Sequence, residues 1–184
     1  KRGRPRLPLG DEIYAATLKV YTTFSGRRAT TAIREYAAKG CIKRAPNHNS
    51  ISNYLRSPKL TPVFTKLIEQ SAAPLKAIES NFAIDATGFG TSTYDRWYDH
   101  QYGDGGGKRQ RWLKAHAMVG TTTNVVTAIE VTEGSVGDAT QLPDLVMATA
   151  KHFNMKEVSA DKAYLSTLNL MSIEAHGATP YIPF

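Results

Sequence analysis

Apolar residues recur at helical spacing through the front of the chain and at alternate positions further on. In "DEIYAATLKVYTTF" Ile13, Ala16, Val20 and Phe24 fall on one helical face, with Asp11 as the expected N-cap and Gly26 as the stop. Ala29, Ile33, Tyr36 and Ala37 repeat the pattern up to Gly40. "HNSISNYLRS" then sets Ile51, Tyr54 and Leu55 on one face and Asn49, Ser50, Ser52, Asn53 and Arg56 on the other. "SPKLTP" reads as a linker. Thr61 caps a fourth helix with Pro62 at its first position, Val63, Phe64, Leu67 and Ile68 as its apolar face and Pro74 at its end.

Beyond about residue 76 the period changes. "NFAIDATGF", "RWLKAHAMVG" and "NVVTAIEVTEG" read as strands, the last two joined by the turn "GTTTN". "DATQLPDLVMATAKHF" is a helix with Leu142, Leu145, Val146 and Ala150 as its buried stripe. "KEVSAD" is a short strand, "YLSTLNLMSIEAHG" a helix and "ATPYIPF" a final strand. The order β-β-β-α-β-α-β predicts an α/β fold: an N-terminal helical region, then a mixed sheet flanked by helices. The expected division is a basic arm over 1–10, a helical region over 11–75 and a sheet domain over 76–184.

Charge adds a partner to this picture. The 184 residues carry a formal net charge of +7, unevenly spread. Residues 1–60 hold 13 Lys/Arg and 3 Asp/Glu, a balance of +10, whereas residues 61–184 hold 10 and 13, a balance of −3. Such asymmetry points to a polyanion for the front and a different task for the back. "KRGRPRLPLG" places Arg2, Arg4 and Arg6 around Gly3 and Pro5, similar to the AT-hook arms that lie in an A·T minor groove. The Asn/Ser/Arg face of the third helix, with Asn49, Ser50, Asn53 and Arg56, carries side chains that bond base edges and phosphates. Three short helices ending in such a face predict a helix-turn-helix-like unit on double-stranded DNA.

Lone Cys41 excludes an intrachain disulfide and a thiolate cluster, and weakly favours a reducing compartment. No apolar run approaches the ~20 residues of a membrane span, and no signal peptide opens the chain.

Asp85 interrupts the apolar run of "FAIDATGFG". A carboxylate in a core strand is expensive to desolvate unless something pairs with it. Asp161 closes the fourth strand in "VSADKAY". If that strand lies parallel to the first and beside it, the two carboxylates are neighbours. A hard cation, Mg²⁺ or Mn²⁺, then relieves their repulsion and serves phosphodiester chemistry. Strand-end aspartates also cap helices, and Asp161 is placed to do so.

"AIDATGFG", "RWLKAHAMVG", "VTEGSVGDATQLPDLV" and "VSADKAYLS" together resemble the catalytic domain of prokaryotic insertion-sequence transposases of the DDE type, from about residue 80 onward. The resemblance implies a ribonuclease H-like fold and metal-dependent cutting and joining of DNA, with transposon ends and target DNA as partners and a cytoplasmic, nucleoid-associated location. It admits a homodimer. Asp85 matches the family's first acid and Asp161 its second. The third, a Glu on a later helix, has no counterpart before "PYIPF". The expectation is a partial ribonuclease H-like domain, inactive alone, with apolar sheet surface left uncovered. Two other readings stand beside it: a DNA-binding regulator or inhibitor of transposition without catalysis, and a metal nuclease with a ligand not identified.

Of the remaining features, "GDGGGKRQRW" lacks the spacing of a phosphate-binding P-loop and reads as a loop leading to a basic edge of Lys108, Arg109, Arg111 and Lys114. Trp97 and Tyr98 read as packing residues, with base stacking as the alternative. Asp138 reads as a helix N-cap and His116 as a packed core histidine. His48, His100, His152 and His176 show no ligand spacing.

Overall fold

A computed structural model of the chain describes residues 5–90 and 112–184. Arg2, Arg4, Trp97, Tyr98, His100, Lys108, Arg109 and Arg111 lie outside the described residues. The chain forms two compact units, residues 1–64 and 65–184.

The first unit is helical: α1 (Leu9–Tyr21), α2 (Gly26–Ala38), α3 (His48–Leu55) and the start of α4 (Thr61–Ala72). Its core is small, built from Ala15, Ala29, Ile33, Ile42 and Ile51. Tyr14 meets Tyr36 edge to face, with ring centroids 6.0 Å apart. Several helix ends differ from the sequence reading. The N-cap of α1 is Pro8, and Asp11 lies within the first turn, where its carboxylate accepts the Lys43 N–H at 3.0 Å. α1 stops at Tyr21 because Thr23 adopts a left-handed backbone (φ 54°), so Gly26 opens α2 rather than ending α1. Phe24, expected on the same apolar face, lies beyond this end and is exposed; Val20 is exposed too, and the buried residues of α1 are Ala15 and Ala16.

A domain boundary near residue 75 was the sequence expectation. The division falls inside α4, because Ala72, at its C-terminal end, belongs to the sheet unit's core.

The second unit is a five-stranded mixed sheet: β1 (Asn81–Gly90), β2 (Trp112–Gly120), β3 (Val126–Glu133), β4 (Glu157–Ala160) and β5 (Thr179–Tyr181), in the order β3-β2-β1-β4-β5. β1, β2 and β3 pair antiparallel, whereas β4 and β5 run parallel to β1. Among the described residues α5 (Leu142–Ala150) lies between β3 and β4 and α6 (Thr167–Ala175) between β4 and β5. This is the mixed sheet with helices that the order of strand and helix patterns predicts.

Strand alternation sorts the side chains. Phe82, Ile84, Met118, Ala128 and Val158 pack with Leu142, Leu145 and Val146 of α5 and Ile173 of α6, so both helices cover one face. Phe82 and Phe153 meet edge to face at 5.5 Å. Apart from Thr127, which sits at the register shift and meets Thr149 of α5, odd-numbered strand residues point to the other face, where Phe89, Leu113, Val131 and Tyr181 are exposed among the described residues.

The β2–β3 turn is fastened from below by Glu79. Its buried carboxylate accepts the N–H groups of Thr122 (3.1 Å) and Thr123 (2.8 Å) and the Thr123 hydroxyl (2.9 Å). Burial by itself would raise the Glu79 pKa, but these bonds outweigh it and hold the group below its ordinary value. A Cβ on Gly120 would overlap the Glu79 carboxyl group, so the close approach requires glycine there.

Candidate functional site

Asp85 and Asp161 are brought together by register. The parallel β1–β4 ladder ends at the pair Ile84–Ala160, and each aspartate is the next residue on its strand. Asp85 lies on the face turned away from the core and is exposed, so the desolvation cost expected for it in a buried strand does not arise. Its Oδ1 accepts the Ala86 N–H at 2.7 Å. Asp161 is exposed too and N-caps a 3-10 turn over Lys162–Tyr164, accepting the Ala163 N–H at 2.9 Å. The capping role foreseen for Asp161 is therefore real, and it fixes the carboxylate at the strand's carboxyl end.

A polar cluster that the sequence did not reveal lies beside this pair. Tyr164 closes the 3-10 turn and is fully buried. Its hydroxyl lies 3.4 Å from His116 Nδ1, and His116 Nε2 lies 3.0 Å from the Thr132 hydroxyl. Burial, then the charges of Asp138, Asp85 and Asp161, push the phenol far above its ordinary pKa. The charges of these three carboxylates thus favour the neutral phenol. His116, fully buried as expected, is held below its ordinary pKa by burial, an effect that Asp138 opposes and Lys114 reinforces.

Asp138 is not the N-cap expected for it. Gly137 holds that position before a 3-10 turn over Asp138–Gln141, and the Asp138 carboxylate instead pairs with Lys114 Nζ at 2.7 Å. Lys114 also donates to the Val136 carbonyl at 3.2 Å, so the cation read as part of a basic edge is engaged with the β3–α5 connection. Buried Asn169 of α6 joins the two turns. Its Nδ2 donates to the carbonyls of Ala139 (2.9 Å) and Tyr164 (2.7 Å), clamping the turn that carries Asp138 to the one that follows Asp161. Nothing in "STLNLMS" marks that asparagine. Its partners are distant carbonyls that only the packing of α6 supplies.

The donor chemistry fits a hard divalent cation in part. Asp85 and Asp161 offer exposed carboxylate oxygens at neighbouring strand positions. Among the described residues no group of three or more His, Cys, Asp or Glu side chains is placed to hold a metal ion. Glu174, on α6, is exposed.

In the helical unit Asn49, Asn53 and Arg56 are exposed on or next to α3, and Ser50 is half-buried. Asn47, the N-cap of α3, accepts the Asn49 N–H at 3.0 Å. Arg6 is exposed. Among the described residues no helix is long and apolar enough to cross a membrane.

Comparison with known proteins adds three findings. No curated protein matches the chain. A solved structure similar to it is that of a piggyBac transposase in a synaptic complex with hairpin DNA, at 11% identity and a TM-score of 0.39, over 99% of this chain and 44% of that one. The chain therefore spans less than half the length of that relative. The family model described as the transposase DDE domain matches residues 77–184, which include both strand-end aspartates and the whole polar cluster. With well over half of its length matched, the chain belongs to the transposase DDE domain family.

Proposed function

We propose that the chain is part of an insertion-sequence DDE transposase, binding double-stranded DNA through its helical unit and presenting Asp85 and Asp161 as ligands for Mg²⁺ or Mn²⁺. The family typically uses a divalent metal. The observation that carries the reading is the shared register of the two aspartates, one residue past Ile84–Ala160 on adjacent parallel strands. Bound there, a divalent ion supplies Lewis-acid stabilisation of phosphodiester oxygens and lowers the pKa of an attacking water or hydroxyl. Asp85 and Asp161 hold and orient; the clamp through Asn169 keeps the Asp161 turn in place; neutral Tyr164 and His116 add no charge beneath the carboxylates.

DNA binding rests on the basic front of the chain, on the exposed Asn49, Asn53 and Arg56, and on a helix-turn-helix-like succession in α2 and α3. The activity proposed for the complete transposase is cleavage of transposon ends and strand transfer into target DNA. The regulator reading has one observation in its favour, that two ligands rather than three assemble among the described residues.

A supercoiled plasmid incubated with the chain and Mn²⁺ separates the two. Nicking that disappears in both Asp85→Ala and Asp161→Ala supports catalysis. DNA binding without nicking supports the regulator, and a chain that neither binds nor nicks overturns both.

A further inference from the structure

We propose that the groove between α2 and the start of α3 is a binding site for the phosphate backbone of duplex DNA, with Arg27 and Arg34 as its principal contacts. The inference rests on the DNA-binding reading above and assigns it to residues that reading does not use.

The groove has a volume of about 570 Å³ and is lined by Arg27, Thr31, Arg34, Arg44, Asn47 and His48, among others, with no acidic side chain. Arg27 and Arg34 are exposed and seven residues apart, so they project from one face of α2 two turns apart, about 10 Å along the axis. Two guanidinium groups at that separation, with a hydroxyl and an amide between and beside them, present the donor set that phosphates take.

A larger cleft of about 760 Å³ shares the Arg44–Asn47 loop with the groove. Arg6, Arg44 and Lys59 line it too, but together with the carboxylate of Glu12 and the apolar Leu7, Leu9, Leu60 and Val63, a lining less suited to phosphate. Ser50 and Asn53, chosen from sequence as DNA contacts, line this second cleft and not the basic groove.

Arg44 ties the basic groove to the N-terminal arm. Its Nη2 donates to the Pro5 carbonyl at 2.8 Å. Pro5 itself lines the larger cleft. In a helix-turn-helix docking the first helix of the pair crosses the backbone while the second reads bases, and a basic face on α2 suits the first of these roles.

The test is fluorescence anisotropy of the 184-residue chain on a random-sequence duplex across a salt series. Arg27→Gln with Arg34→Gln is compared with Arg28→Gln with Lys39→Gln. Each pair removes two exposed positive charges from α2 or its C-terminal end, but Arg28 and Lys39 do not line the groove. The groove pair should weaken binding roughly 10- to 100-fold at low salt and reduce the salt slope by about 2, since each phosphate contact contributes about 0.9. The control pair should move both far less, and Arg27→Lys with Arg34→Lys should restore most of the slope. Equal losses in the two pairs would mean that net charge alone acts, overturning the groove while DNA binding stands. A wild-type chain that binds no duplex overturns both.

Discussion

Asp85 and Asp161 occupy equivalent positions on neighbouring parallel strands, each one residue beyond the Ile84–Ala160 pair that ends the β1–β4 ladder. Neither side chain is buried. Their proximity follows from strand pairing and not from any contact between them, so removing one carboxylate leaves the fold's core untouched. Asp85→Asn and Asp161→Asn should each weaken Mn²⁺ binding by tenfold or more in calorimetric titration. Without metal, their unfolding free energies should stay within about 0.5 kcal/mol of wild type, as for other exposed substitutions. Unchanged Mn²⁺ affinity in both variants would remove the pair from any metal site.

Asn169 should matter for stability and for the site together. Asn169→Ala removes two buried hydrogen bonds and leaves the carbonyls of Ala139 and Tyr164 without that donor. A loss of about 2–3 kcal/mol in urea denaturation is expected. Mn²⁺ affinity should fall with it under conditions where the variant remains folded, because the turn after Asp161 is no longer clamped.

Lys114 and Asp138 form a mostly shielded ion pair, with side chains 15% and 21% exposed. A double-mutant cycle of Lys114→Met and Asp138→Asn should return a coupling of about 1–2 kcal/mol. Either single substitution should cost more than the double. Additive effects would show that the contact contributes nothing.

Acid should destabilise the chain in two stages. His116 has a folded pKa below its unfolded value, so the unfolded state binds the proton first. Its contribution is complete above about pH 6.5 and is lost as pH falls from there through the folded pKa. Glu79 also has a depressed folded pKa, so its contribution is present above about pH 4.3 and is lost as pH falls through the folded value. Thermal midpoints measured against pH should therefore fall first in the His116 window and again in the Glu79 window. His116→Gln should flatten the first stage and Glu79→Gln the second. A wild-type profile that is level between pH 6.5 and 4.5 contradicts the assignment to His116.

Tyr164→Phe should cost about 1 kcal/mol through the hydroxyl facing His116. Spectrophotometric titration should show one phenol that ionises only at unfolding, because burial and three nearby carboxylates oppose its charge. That resistant component should vanish in the Phe variant.

Among the described residues the order of elements and the identity of every strand were legible in the sequence, as were the place of Asp85 and Asp161 at strand ends and the membership of the DDE transposase family. Periodicity fixes which residues of β1 can face a core, and Phe82 and Ile84 do so. The same alternation, carried one step further, puts Asp85 on the open face. Reading β1 as a core strand around Asp85 hid this. Helix ends were less legible, because α1 stops at a left-handed Thr23 that no residue preference announces. What only the tertiary structure decided was long-range pairing. Register aligns Asp85 with Asp161 across two strands, Glu79 reaches the turn at Thr122 and Thr123, and Lys114 meets Asp138 across a chain connection. Local pattern sets the state of each segment through backbone sterics and burial. Which polar atoms meet depends on how the segments stack, and that geometry has no local signature.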